Sequence, residues 1–218
     1  MLARFSRQGF TRVAAKIDRW LGGAVHESPT AGKAQKGLKS KSLKSALSHA
    51  IFAPVPDQTD IEFLCKLAAE IPAEQIRDGL SLIANGGAVD PRTAAVELPR
   101  ARLIALALAP GSPKILGIGV IKGRRPTYTS HVAARSGFSL APNTHELGYV
   151  VVEESKRRLG ISHRITSLLL SRFQERPLFA TTSHEGMKRT LRRAGFTQEG
   201  HEWPGKFGAL SLWIKASP

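Results

Sequence analysis

The sequence has a single cysteine among its 218 residues. That excludes a disulfide within the chain, and with it any fold that depends on an oxidising compartment. Acidic residues are scarce: 17 Asp and Glu stand against 32 Lys and Arg, for a formal net charge of +15. No apolar run approaches the ~20 residues that span a bilayer as a helix. Residues 1–21, MLARFSRQGFTRVAAKIDRWL, lack the continuous apolar centre of a secretory signal. There is no internal repeat and no paired aromatic-basic motif of an RNA-reading module.

What is present is enough apolar residue, 42% of the chain, to bury a real core, so wholesale disorder is excluded. The basicity speaks to partners rather than to fold. It suits a nucleic acid, an acidic membrane face or the phosphates of a nucleotide cofactor, or else it belongs to a basic tail with no dedicated polyanion partner. Cys65, inside IEFLCKLAA, reads as a buried thiol rather than a nucleophile.

Along the chain, Phe10, Val13, Ala14, Ile17 and Leu21 recur at helical spacing with Arg12, Lys16 and Arg19 between them, and Gly22-Gly23 follows. Residues 1 to about 25 therefore read as a basic amphipathic helix. The stretch is Arg-rich and acid-poor up to Asp18, the composition of an organelle transit peptide or of a helix that touches nucleic acid or membrane. Residues 28–45 carry lysines at 33, 36, 39, 41 and 44 among Ser and Gly. They read as a solvated tether, with phosphate contact as the alternative. The division expected is 1–45, a basic N-terminal helix and linker, and 46–218, a folded domain.

From residue 46 the pattern alternates between strand and helix. HAIFAPV (49–55) reads as a first strand, and IEFLCKLAAEI as a helix capped by Thr59 or Asp60. Pro72 opens a second helix, AEQIRDGLSLIAN, which Asn85-Gly86-Gly87 stops. ARLIALALA and KILGIGVIKG form a hairpin across Pro110-Gly111-Ser112-Pro113, with Gly117 and Gly119 marking a bulge or close packing. Residues 124–144 read as a long irregular connection. ELGYVVVEE is a strand, HRITSLLLSRFQ a helix, PLFATTS a strand and HEGMKRTLRRAG a helix, with FTQEGHEW and ALSLWIK as the last two strands. The class is mixed α/β. Trp203 and Trp213 read as packing residues, with Trp203 beside the turn Pro204-Gly205 as a possible lining residue.

One junction carries chemistry. The strand Leu147-Gly148-Tyr149-Val150-Val151-Val152 feeds the basic turn Arg157-Arg158-Leu159-Gly160-Ile161-Ser162, which opens a helix. The first amides of a helix have no internal partner and carry the positive end of its dipole, so they accept phosphate oxygens. Gly160 removes a side chain from the approach, and Arg157 and Arg158 add charge.

These residues resemble the signature of the GNAT (general N-acetyltransferase) superfamily, R/Q-x-x-G-x-G/A, here Arg157-x-x-Gly160-x-Ser162, with Ser162 in place of the usual second small residue. Ala194-Gly195-Phe196 resembles the family's helix-to-strand turn. The resemblance covers residues 46–218 in element order and about 145–215 in motif. It implies a GNAT-like single domain: a central, mostly antiparallel sheet with a splayed parallel strand pair and flanking helices, preceded by the basic N-terminal extension. It implies acetyl-CoA, or another acyl-CoA, as cofactor, in the opening between strands 146–152 and 178–182. Backbone groups of Val150 and Val152 would bond the pantetheine arm, and amides from Arg158 through Leu159, Gly160, Ile161 and Ser162 to His163 the pyrophosphate. No residue is assigned to a metal.

Amine attack on a thioester needs a base and an acid. Glu146, at the start of the strand beside the splay, is the candidate base; alternation puts Glu146, Gly148 and Val150 on one face, with His145 on the other, where a surface histidine is expected. Many relatives carry a Tyr acid four residues before the Gly-Phe turn. Here that position is Leu191, which leaves Ser183, His184 and Tyr128 as substitutes, Tyr128 from the long connection. The function implied is N-acyl transfer from acyl-CoA to an amine acceptor (EC 2.3.1 type), most simply acetyl transfer. The basic N-terminus and the Arg-rich 124–135 stretch tilt the acceptor toward aminoacyl-tRNA or an amino-modified base. The alternative is a non-catalytic module of the same fold that binds nucleic acid in a larger nucleoprotein assembly. The expected location is cytoplasmic, or an organelle reached through the Arg-rich N-terminus.

Overall fold

The hairpin at the centre of the sequence lies inside the sheet rather than at its edge. β2 (Leu103–Leu108) and β3 (Ile115–Ile121) pair antiparallel and are almost wholly buried, and Ala109 N–H closes the turn on Lys114 O at 2.9 Å. The computed structural model describes residues 60–175 and 177–216. The expected helix at 1–25, linker at 28–45, strand at 49–55 and boundary at 45/46 lie outside the described residues.

Seven strands form one sheet in the order β1-β2-β3-β4-β5-β7-β6. The others are β1 (Glu62–Lys66), β4 (His145–Val152), β5 (Leu178–Thr182), β6 (Thr197–Gly205) and β7 (Gly208–Lys215). Every pairing is antiparallel except β4 with β5. One face is covered by α1 (Ala73–Asn85) and α2 (Pro91–Glu97), which enclose Ile83, Leu98, Ile104, Leu106 and Ile118. On the same face α3 (Pro126–Ser136) encloses Phe179, Trp203, Leu212 and Ile214. The opposite face carries α4 (Ile161–Arg172) and α5 (Glu185–Arg193), over Ile165, Leu169, Leu191, Phe196 and Trp213. Both late tryptophans are buried, so their packing role holds.

Gly117 and Gly119 explain how α4 reaches the sheet. A Cβ on Gly117 would lie 2.9 Å from Ile161 Cγ2, and one on Gly119 would collide with Ile165. The bare backbone is therefore the socket of the helix.

Three readings of the sequence need correction. IEFLCKLAAEI is not a helix: Glu62–Lys66 is the edge strand β1, followed by a single 3-10 turn at Ala68–Glu70. Its apolar residues fit both periods, and pairing with β2 decides for period two: Phe63 and Cys65 face α4, Leu64 the other side. Cys65 is half-buried, and burial pushes its thiol pKa up against the opposing charge of Arg172. Next, residues 124–144 are not irregular throughout, since Pro126 starts α3 and Gly137, at φ 67, ends it. Finally α2, capped by Asp90 accepting from Arg92 N–H at 3.1 Å, went unread. Among the described residues the strands number seven and the α-helices five.

Candidate functional site

β4 and β5 are in register only at His145↔Leu178 and Glu146↔Phe179. Beyond that they part. β4 bulges just there, its pairing with β3 slipping between Ile118↔Val151 and Val120↔Gly148, and Tyr149 takes φ 50. A bulge inserts one residue and reverses the alternation after it. Glu146 and Gly148 share a face, but Val150 turns to the α4 side with Val152, while Tyr149 and Val151 join the α1 side. The expected grouping of Val150 with Glu146 is thus overturned. The same slip sets the backbone. Glu146 O accepts from Lys122 N–H, and Glu153 N–H donates to Leu116 O, each at 2.8 Å. Strand alternation then directs the polar groups of Val150 and Val152 away from β3, into the gap that β5 has left.

At the end of β4 the chain makes a 3-10 turn (Glu154–Lys156) and enters α4 through Arg158 at φ 68 and Gly160 at φ 72. Gly160 occupies the N-cap position with no side-chain cap, and α4 has no acidic residue in its first turn. The first intrahelical bond runs from Arg164 N–H to Gly160 O at 3.0 Å, which leaves the amides of Ile161, Ser162 and His163 without a helical acceptor. A Cβ on Gly160 would meet nothing within 4 Å. Gly160 is therefore needed for its left-handed backbone, and the space above it is open. Arg158 is exposed, and Arg157 pairs at the surface with Glu154 at 3.3 Å. Ser162 Oγ lies 3.5 Å from Thr190 Oγ1 on α5, and Leu159 packs on the α4-side core.

On the opposite face, over the strand junction, lies a cluster of charged groups. Glu146 is 5% exposed. Its Oε1 accepts from Lys122 Nζ at 2.9 Å and its Oε2 from Arg125 Nη1 at 3.3 Å. Arg125 Nε also reaches Glu97 Oε2 at 3.1 Å, tying α2 to the start of α3. Lys122 Nζ stands 4.0 Å from the Tyr149 ring centroid, and Arg125 Cζ 4.2 Å from that of Tyr128. Tyr128 OH is 3.3 Å from Thr181 Oγ1 on β5. Burial, and after it the Glu146 carboxylate, push the Tyr128 phenol up to about 12. The same two causes, joined by Glu97, raise the Tyr149 phenol well above its ordinary value.

The structure brings Glu146 and Tyr128 together, with Tyr128 on a helix rather than a loop. It does not bring His184 with them: His184 is exposed and caps α5, its Nδ1 accepting from Met187 N–H at 3.3 Å. Ser183 is half-buried just past β5. His145 is buried, not at the surface, with Nδ1 donating to Lys122 O at 2.9 Å and its ring edge-on to Phe173. Leu191 is fully buried in a helix-ending motif, with Phe196 N–H donating to Leu191 O and Gly195 N–H to Arg192 O, each at 3.0 Å. Lys122, Arg125, Glu97 and Tyr149 were missed. The available signal was a lysine closing the otherwise apolar run ILGIGVIK.

No protein-family model and no curated protein matches the sequence. Solved structures do. The chain is similar to an acyl-CoA N-acyltransferase from Pseudomonas aeruginosa (TM-score 0.53, 13% identity, 72% of this chain and 99% of that one). It is similar to ElaA from Escherichia coli (TM-score 0.53, 13% identity, 71% and 99%). It is also similar to NAA60 from Arabidopsis thaliana in complex with a bisubstrate analogue (TM-score 0.51, 9% identity, 72% and 98%). The fold is that of the GNAT superfamily, with the parallel pair and flanking helices that the motif implied.

Proposed function

We propose that this chain is an acyl-CoA-dependent N-acyltransferase that acylates an amine, most simply from acetyl-CoA. The observation that carries the reading is the junction itself. A parallel pair parts after two registered residues, and a bulge turns the Val150 and Val152 backbone into the gap. The gap adjoins a helix start whose first amides lack acceptors. The residues present fit the coenzyme: the turn is open over Gly160, its first helical turn has no carboxylate, and Arg157 and Arg158 flank it. Val150 and Val152 would hold the pantetheine arm, and the Arg158–His163 amides the pyrophosphate. When bound, acyl-CoA supplies a thioester, an acyl group already activated toward a neutral amine.

The chain's own residues then handle protons. Glu146 takes the proton from the acceptor amine, its oxygens held in place by Lys122 and Arg125 while keeping further lone pairs. Tyr128 is the better of the named acids: its phenol stays protonated at neutral pH and it shares the face of Glu146. The electrostatic tilt toward a nucleic-acid acceptor loses two of its residues, since Arg124 pairs with Glu175 and Arg125 with Glu97 and Glu146. Among the described residues no helix is long and apolar enough to cross a membrane.

The test is titration calorimetry with acetyl-CoA together with thiol release across a panel of amines. Acetyl-CoA is expected to bind and to release thiol with at least one amine. Gly160→Glu places a carboxylate over the unpaired amides and abolishes that binding while the fold survives. Absence of binding to the unaltered chain, or undiminished binding by a folded Gly160→Glu, overturns the reading.

A further inference from the structure

Tyr149 combines two features that each weaken the fold. Its backbone sits at φ 50, a left-handed conformation that side chains other than glycine rarely adopt. Its hydroxyl, on a residue 6% exposed, has no hydrogen-bond partner among the described residues. Strained backbone clusters at ligand-binding sites, and an unpaired buried hydroxyl calls for an explanation, of which a ligand is one. Here the first causes the second: the bulge swings the ring off the α4 side, where strict alternation would put it, onto the face of Glu146. Lys122 Nζ, 4.0 Å above the ring, then fixes its plane.

The charges around the hydroxyl cancel in pairs, Lys122 with Glu146 and Arg125 with Glu97 and Glu146. Two cations and two carboxylates do not select a ligand by net charge, so a polycation gains nothing special here. Each charged group already has a partner, whereas the Tyr149 hydroxyl has none. Burial and the two carboxylates keep that phenol protonated, so it has a hydrogen to donate. A molecule whose amine lies at Glu146, on the same face, can bring the acceptor it lacks.

We propose that Tyr149 is a specificity-determining residue that donates to an oxygen carried next to the reacting amine. The acceptor class is then the α-amino carbonyl compounds, such as an amino acid amide or ester or a peptide N-terminus, in preference to simple alkylamines and polyamines. This rests on the acyltransferase reading above.

The probe is a matched pair, leucinamide and 3-methylbutylamine, which differ by the carboxamide. The quantity read is the ratio of their kcat/KM values in the full chain and in Tyr149→Phe, so that differences in amine basicity cancel. Tyr149→Phe is expected to lower leucinamide turnover about tenfold, the loss of one hydrogen bond, and to leave 3-methylbutylamine and acetyl-CoA affinity unchanged. Its Tm is expected to equal or exceed that of the unaltered chain, because the hydroxyl contributes no bond to the free protein. An unchanged ratio overturns the proposal, as does a lower Tm with equal loss on both amines, the pattern of a merely structural residue. If acetyl-CoA binds but neither amine turns over, titration of both amines into the coenzyme A complex reads the same ratio, and equal ratios overturn the proposal there too. Failure of acetyl-CoA to bind overturns the acyltransferase reading instead.

Discussion

Lys122 Nζ bonds Glu146 Oε1 at 2.9 Å across the space where Gly148 has no side chain. A Cβ on Gly148 would lie 2.6 Å from Lys122 Cε and 3.3 Å from Glu146 Oε1. This glycine therefore makes room for the ion pair. Gly148→Ala is expected to displace the lysine and destabilise the fold by about 1–3 kcal/mol, the range for overpacking. It should lower turnover while leaving acetyl-CoA affinity intact. Denaturant melts and steady-state rates on the same preparation check both halves.

Glu146→Gln separates charge from shape. The side chains of Glu146 and Lys122 are 6% and 7% exposed, so removing one charge leaves the other buried without its full partner. That costs about 3 kcal/mol or more. Loss of a general base lowers kcat by about 10²-fold or more. The companion change Lys122→Met is expected to restore much of the stability, because an apolar group replaces the stranded cation. It should not restore the rate. Recovery of rate along with stability would make Glu146 a structural residue only.

Where local pattern and tertiary demand agree, the fold was legible. The β2–β3 hairpin, the Gly160 turn and the Gly195 helix end all follow from apolar runs punctuated by glycine, and each was found in place. β1 was misread because five residues at a sheet edge satisfy helical and strand spacing alike, and only the partner strand decides. α3 was misread because Thr127, Tyr128, Thr129, Ser130 and His131 are weak helix formers, although Pro126 and Gly137 bracket them as start and stop signals. The turn at Gly160 could be read because it lies on one continuous stretch of chain. The charged cluster over the strand junction could not: Glu97, Lys122, Arg125, Glu146 and Tyr149 come from four elements, and the bulge that turns Tyr149 violates the very alternation used to assign faces.

Arg158 offers a test in which stability and binding move in opposite directions. It holds φ 68 with a full side chain and lies exposed in the turn, a strain of about 1 kcal/mol for a non-glycine residue. Arg158→Gly relieves that strain and is expected to raise Tm by roughly 2–4 °C. It should also weaken acetyl-CoA binding and flatten its dependence on salt, because one cation beside the phosphates is gone. Calorimetry at low and high ionic strength reads the second effect. A stabilised variant with unaltered coenzyme affinity and salt slope would remove Arg158 from the phosphate site.

The buried phenols make stability fall at high pH, and the sign follows from proton counting. Tyr128 ionises near 10 in the unfolded chain and is pushed up to about 12 in the folded one, first by burial and then by Glu146. Below pH 10 both states hold the proton and the phenol contributes no pH dependence. Between 10 and 12 the unfolded chain releases it while the folded chain keeps it, so the unfolded state binds fewer protons and stability declines as pH rises. Two units correspond to a loss on the order of 2–3 kcal/mol by pH 12. Tyr149, shifted in the same direction, adds to the slope. Lysines also titrate in this window, so the informative comparison is with Tyr128→Phe, whose urea midpoint should fall less steeply between pH 9 and pH 11 than that of the unaltered chain. Parallel slopes in the two proteins would mean that the Tyr128 phenol reaches solvent, and would remove it as the proton donor on the acceptor face.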